Sequence, residues 1–253
     1  MLPRQSRLPV TRQEIHGSLL DAAAHAAWAT PEGIAPGDVL VLAPHPDDET
    51  LGCGQAIAAA CAIGRRVGIA LVTGGENSHP GSLTHPRPVM RELRRREFCR
   101  AVEVLGNGTI ESVELGFPDG KLERGDGDEI ADQLRTFADG LRPSVIWASW
   151  SGDPHCDHIA TGAAAEILGL RLGIPVWSYV VWGRFADRFV PSLSRLHRFN
   201  RPEWRRKKAD AMRAYRSQMG EVVHDDPDGF SLTPEEAAHF RDAPEIFIRE
   251  AEL

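Results

Sequence analysis

Asp38-Val39-Leu40-Val41-Leu42-Ala43, followed without a break by Pro44-His45-Pro46-Asp47-Asp48-Glu49, is the stretch on which both fold and chemistry turn. Its first half is a short, unbroken apolar run. A strand with one wet face would alternate polar and apolar residues, so this run reads as a strand buried on both faces, the kind found in parallel sheets. Its second half sets an imidazole and two adjacent carboxylates at the strand's carboxyl end, with prolines stiffening the turn.

Working outward, the pattern keeps alternating. A helix is predicted from about Glu49 to Gly64, a strand over Val67 to Val72, a loop from Gly74 to Pro88 and a helix to about Gly106. Then come a weaker strand, Ile110 to Leu115, the turn Phe117-Pro118-Asp119-Gly120, and a helix from about Glu129 to Gly140. A strand over Ser144 to Ala148, a helix near Ile159 to Leu172 and a strand over Val176 to Val181 complete the series. Strands alternating with helices imply an α/β fold: a Rossmann-like, doubly wound, mostly parallel sheet with helices on both faces.

A polar leader and an Ala-rich helix, Leu19 to Trp28, precede this series. After Ser194 the rhythm loosens to a further strand, a basic helix from about Pro202 to Gly220, a short helix opened by Thr233-Pro234-Glu235-Glu236, and a last strand near Ile246 to Arg249. The expectation is one domain over residues 1–253, with a core at about 38–220, a leader at 1–37 and a short C-terminal extension at 221–253. The whole tail from Ser194 could cover one edge of the sheet or shape the mouth of a site.

Composition narrows the function classes. With 42% apolar and 26% charged residues the chain is an ordinary globular one. Its net charge of -7 speaks against nucleic acid or an anionic membrane surface and favours a small polar substrate. Four cysteines without a CxxC pair suit a reducing cytoplasm. The first residues lack the apolar run of a signal peptide, and no segment approaches the roughly 20 apolar residues that cross a bilayer, so membrane insertion is not expected. Exposed sheet edges leave room for a homo-oligomer.

In doubly wound sheets the ligand crevice lies beyond the carboxyl ends of the strands. The loop after Ala43 would therefore face the loop after Ala148, which carries Asp153-Pro154-His155-Cys156-Asp157-His158. Either loop alone could be a helix cap or a surface turn. Together they offer a set of histidines and carboxylates that folding does not require. A catalytic zinc takes three such ligands and keeps an open position for water. His45 and Asp48 supply two. The residues alone leave His155, Cys156, Asp157 and His158 open as the third, while Asp47, unable to point at the same atom as its neighbour, is free to address a water. A noncatalytic nucleotide-binding module on the same fold is disfavoured, because no GxGxxG or GxxxxGK[ST] follows any strand.

A strand ending in Pro-His-Pro-Asp-Asp-Glu, followed by His-x-Asp-His, resembles the PIG-L/LmbE family of zinc-dependent N-deacetylases. Weaker echoes are Thr73-Gly74-Gly75-Glu76, Arg94-x-x-Glu97, Leu115 to Gly120 and Arg216-Ser217-Gln218. The resemblance implies a hydrolase that removes an acyl group from the nitrogen of an amino-sugar conjugate. It also implies Zn2+ on His45, Asp48 and His158, Asp47 as general base, His155 facing the carbonyl oxygen, and Asp157 orienting a histidine. Arg94 and Asp119 would hold sugar hydroxyls. An amidase acting on a sugar thioconjugate is the alternative within the same chemistry. Some family members that cleave acetylglucosaminyl-inositol carry a tyrosine two residues before the first histidine of His-x-Asp-His. Asp153 stands there in this chain.

Overall fold

The computed structural model describes residues 17–186 and 189–250. Residues 1–16 of the expected leader and residues 251–253 of the expected extension lie outside that range.

The elements run α1 (Ser18–Ala23), β1 (Ala27–Trp28), α2 (Pro31–Ile34), β2 (Val39–Ala43), α3 (Asp48–Ala62), β3 (Val67–Thr73), α4 (Arg87–Gly106) and β4 (Glu111–Phe117). They continue with α5 (Gly127–Leu141), β5 (Val145–Ser149), α6 (Cys156–Leu172), β6 (Val176–Tyr179), β7 (Leu196–Phe199), α7 (Pro202–Met212), α8 (Pro234–Asp242) and β8 (Glu245–Arg249). The strands form an eight-stranded sheet in the order β1-β7-β8-β6-β5-β2-β3-β4. Only β8 runs antiparallel to its neighbours. The expected mostly parallel α/β sheet is thus present.

Every residue of β2, β3, β5 and β6 is buried. Side chains on a strand alternate in direction, so the opening apolar run feeds two cores at once. Val39, Val41 and Ala43 join a cluster with Ala56, Ile57, Phe98 and Leu105 from α3 and α4. Leu40 and Leu42 join another with Ile130, Leu134, Ala160 and Leu168 from α5 and α6. Helices therefore cover both faces, and a polar residue anywhere in β2 would bury an unpaired group.

Three elements differ from expectation. The Ala-rich helix stops at Ala23, because Ala27 and Trp28 pair in parallel with His197 and Arg198, and the Arg198 guanidinium lies 4.2 Å over the Trp28 ring. The last strand does not cover an edge. It inserts between β6 and β7, with Ser178 opposite Ile248 and Leu196 opposite Ile248 on the other side. The basic helix ends at Met212, eight residues short of Gly220, and the chain from there turns tightly towards the carboxyl end of the sheet.

The strand order decides where a ligand goes. From β2 the chain proceeds outward through β3 and β4, then returns to place β5 on the opposite side of β2. The loops after β2 and β5 consequently leave the sheet side by side at a topological switch point.

Candidate metal centre and active site

The loop after β2 is tied down before any functional side chain is placed. The Thr73 amide and hydroxyl donate to the Pro44 carbonyl at 3.0 and 2.9 Å, pinning it to the end of β3. At its far end Asp47 has φ 120° and ψ -30°, a conformation that non-glycine residues rarely adopt. Such strain costs about 1–3 kcal/mol and persists where surroundings over-determine it. The surroundings here are specific. Glu49 accepts the Asp47 amide at 3.2 Å, and is itself held by the Thr50 and Tyr215 hydroxyls, each at 2.5 Å.

This twist separates the two aspartates. Asp48 Oδ2 lies 3.0 Å from His45 Nδ1 and 3.1 Å from His158 Nε2. Asp47 Oδ2 instead lies 3.3 Å from Arg94 Nη2. The two histidines hold the Asp48 carboxyl well below its usual range against the opposing effect of burial. Burial dominates at Asp47, pushing its carboxyl up to about 8 although the Arg94 cation opposes the rise.

His45 is gripped on its other side as well. Its Nε2 lies 3.0 Å from Asp157 Oδ2 and 3.2 Å from Asp119 Oδ1. Asp157 in turn accepts the amides of Gly120 and Leu122 at 2.7 and 3.1 Å, joining the loop after β4 to the site. Asp157 therefore orients His45 directly. Asp119 Oδ2 accepts the Asn77 amide at 2.6 Å, so both of its oxygens already have partners.

His155 caps α6, its Nδ1 accepting the Asp157 amide at 3.2 Å. An imidazole nitrogen that accepts carries no proton, which fixes the neutral tautomer with the proton on Nε2. Burial, reinforced by the neighbouring His45 and His158, lowers its pKa to about 4, keeping it neutral. The result is a neutral N–H donor on the wall of the site.

His158 is completely buried, and neither ring nitrogen has a hydrogen bond. Burial alone would lower its pKa, but the Asp48 and Asp153 carboxylates raise it to about 10. His158 Nε2 and His45 Nδ1 flank one Asp48 oxygen, a set of donor atoms whose chemistry suits a metal ion. Ligands at about 2.0–2.2 Å around a tetrahedral ion stand roughly 3.3 Å apart, close to the observed separations from Asp48 to both histidines. The ligand atoms of His45, His155 and His158 also converge within 4.8 Å. His45, Asp48 and His158 are thus residues that could hold a metal ion, as are His45, Asp119 and Asp157.

Asp153 had no role assigned from sequence. One oxygen lies 3.5 Å from His158 Nδ1, while the other accepts the amides of Trp182 and Gly183 at 2.9 and 3.0 Å. It couples His158 to the chain after β6, the placement that carboxylates behind metal-binding histidines commonly have. Cys156 stays a thiol, burial pushing it up to about 11. His79 and His85 hydrogen-bond to neighbouring hydroxyls and stand apart from the metal-facing cluster.

Arg94 is buried at the cavity wall with Nη1 on the Gly75 carbonyl at 3.1 Å and Nη2 on the Pro46 carbonyl at 2.5 Å. Gly75 has φ +65°, and a Cβ there would come within 2.2 Å of Arg94 Nη1. Gly75→Ala is therefore expected to lower stability by about 1–3 kcal/mol and displace Arg94 from Asp47. Urea unfolding should show the first effect and a fall in kcat the second.

These groups surround one cavity of about 560 Å³, whose wall includes His45, Asp47, Asp48, Arg94, Asp119 and His155. Its outer side comes from the C-terminal part of the chain, through Trp182, Gln218, Asp228, Phe230 and Glu236.

Comparison with known proteins meets the same residues. A family model described as PIG-L, GlcNAc-PI de-N-acetylase, matches residues 40–168, which contain both loops. A probable N-acetyl-alpha-D-glucosaminyl L-malate deacetylase 2 of Bacillus subtilis is 33% identical over 135 residues, 50% of this chain and 58% of that protein. A mycothiol S-conjugate amidase of Streptomyces coelicolor is 33% identical over 138 residues, 46% of each. The chain thus spans about half the length of the curated relatives it matches. Among solved structures, a conserved protein of Thermus thermophilus is 33% identical with a TM-score of 0.54, covering 72% of this chain and 80% of that one. An antimicrobial pseudoaglycone deacetylase has a TM-score of 0.65 at 22% identity over 85% and 99% of the two chains, a likeness of fold.

Proposed function

Because this chain belongs to the PIG-L family of GlcNAc-PI de-N-acetylases, we propose that it is a zinc-dependent hydrolase removing an acetyl group from the nitrogen of an amino-sugar conjugate. One observation carries the reading: a single Asp48 oxygen is shared by His45 and His158, with Asp47 and His155 beside it on one cavity wall. Zinc held by His45, Asp48 and His158 would supply Lewis acidity, polarising the amide carbonyl and lowering the pKa of water towards about 7.

The chain's own groups perform the proton transfers. Asp47 takes a proton from the attacking water, and Arg94, fixed by two carbonyls, steadies its carboxylate. His155 presents its Nε2–H to the carbonyl oxygen as negative charge builds there. The proton on Asp47 passes to the departing nitrogen, so water and amide become acetic acid and an amine, which leave as acetate and ammonium once the acid's proton has moved to the amine. Asp157 and Asp153 keep His45 and His158 aimed during these steps. Four free cysteines suit a reducing cytoplasm, and among the described residues no helix is long and apolar enough to cross a membrane.

The deciding experiment offers zinc-loaded protein a panel of N-acetylglucosaminyl conjugates, including a malate glycoside and a thioconjugate. Acetate and primary amine are expected in equal amounts, with both lost on chelation. A protein that carries close to one zinc per chain yet releases amine from no conjugate would overturn the reading.

A further inference from the structure

The start of α3 carries Asp48 and Glu49, and it is not continuous with the rest of the helix. Cys53 has φ -143° and ψ 23°, outside the helical range, and the helix kinks there. In an unbroken helix the Gln55 amide would donate to the Leu51 carbonyl and the Ala56 amide to the Gly52 carbonyl, four residues back. Instead Glu245, from β8, accepts the Gln55 amide at 2.7 Å and the Ala56 amide at 3.0 Å. Lys208, from α7, donates to the Leu51 carbonyl at 2.7 Å and to Glu245 at 3.0 Å. A lysine and a glutamate are thus spliced into one helical hydrogen bond, the cation on its carbonyl and the carboxylate on its amide.

Both side chains are completely buried. Burying charge is costly, and apolar residues of similar size often match a core ion pair in stability, so stability alone gives little reason for this one. Backbone geometry gives a better reason. Opening a helix in the core leaves an amide and a carbonyl that water does not reach, and this pair satisfies both while setting how far apart they stand. α7 grips both sides of the kink, through Lys208 before it and, beyond it, through the Arg201 amide, which donates to Gln55 Oε1 at 2.9 Å. The Tyr179 ring packs against the same place, where a Cβ on Gly52 would stand 2.2 Å from its Cδ2. The tilt of residues 48–52 is therefore set from outside the helix.

We propose that Lys208 and Glu245 are positioning residues for the metal centre. By holding α3 open at Cys53 they aim residues 48–52, so that Asp48 Oδ2 meets both His45 and His158 while Glu49 reaches the Asp47 amide. Both residues act through the backbone of α3, five to eight positions along the chain from Asp47 and Asp48. The proposal rests on the deacetylase reading for the role of the metal, but zinc affinity tests it without turnover.

Zinc affinity, by competition with a chelator, and kcat and KM are measured for the parent, Lys208→Met, Glu245→Gln and Leu134→Ala, each at a temperature where it is folded. Leu134 lies in the core cluster of α5 and α6, so its truncation supplies a loss of stability without a change at the kink. Lys208→Met strips the Leu51 carbonyl of its donor. It is expected to weaken zinc by about 10–100-fold, the range for groups that act behind a ligand, and to lower kcat while KM stays within about 3-fold. Glu245→Gln keeps an oxygen for the two amides and should lose less, about 3–10-fold in zinc affinity. Leu134→Ala should lower the urea midpoint yet hold zinc within about 2-fold of the parent. Lys208→Met or Glu245→Gln matching Leu134→Ala in zinc affinity and kcat would overturn the proposal for the residue replaced, and if Lys208→Met does not fold, Glu245→Gln decides for the pair. A parent that binds zinc but releases amine from no conjugate removes the deacetylase reading, while the zinc affinities still decide this proposal.

Discussion

Asp47→Asn is expected to retain zinc and the native fold while lowering kcat by about 10²–10⁴-fold, the usual contribution of a positioned general base. Asn is nearly isosteric and tolerates positive φ better than most residues, so the backbone at 120° survives the change. Its side-chain oxygen can still face Arg94, but it cannot carry away a proton. The pH profile provides a second check. Burial holds the Asp47 carboxyl up at about 8 despite the Arg94 cation, and a metal ion bound beside it would further stabilise its ionised form. A base works when ionised, so kcat/KM should rise with pH along a limb centred below 8. That limb should be missing from the Asn variant. Zinc content near one per chain with activity within 10-fold of the parent would reject Asp47 as the base.

How much of this was legible in the sequence depended on how local each signal is. The run Val39 to Ala43 declares itself because a strand buried on both faces has no polar alternation to imitate another element. The two chemical loops could be paired because the doubly wound topology alone brings the carboxyl ends of β2 and β5 together. Gly75 shows the limit of that reasoning: its loop was noticed, yet only the structure reveals that Arg94 occupies the space a Cβ would need.

The rest depends on partners far along the chain. Trp28 reads as the end of a helix until His197 and Arg198 pair alongside it. No glycine or proline interrupts 213–219, yet the basic helix stops at Met212, and the turn after it is held by Ser217 on Glu97 and by the Leu232 amide on the Gln218 carbonyl. Glu49 looks like one more acid in the first turn of a helix. Its contacts with Tyr215, 166 positions away, and with the Asp47 amide show it to be what fixes the strained Asp47. Likewise, α3 bends at Cys53, and Glu245 from β8 accepts the amides of Gln55 and Ala56 beyond the bend. Local propensity carries no information about any of these contacts.

Asp48→Ala tests the metal centre itself, through both affinity and stability. Removing the oxygen shared by His45 and His158 should weaken zinc by more than the 10–100-fold typical of groups behind a ligand and abolish turnover. In the metal-free parent the folded His158 has a pKa raised from 6.5 to about 10. Its contribution to stability is therefore full below about pH 6.5 and is lost as pH rises through 10. Asp47, raised from 3.8 to about 8, acts in the same direction over a lower window. The metal-free parent should accordingly become easier to unfold in urea between pH 6 and pH 9. Zinc competes with these protons, so its stabilisation of the parent should be larger at pH 9 than at pH 6. In Asp48→Ala one of the two carboxylates that raise His158 is gone while Asp153 remains, so the pH slope should become shallower and added zinc should no longer move the urea midpoint. If the variant still binds zinc stoichiometrically and is stabilised by it as strongly as the parent, the ion is held by another set, such as His45, His155 and His158. Asp48 would then serve only to orient the two histidines.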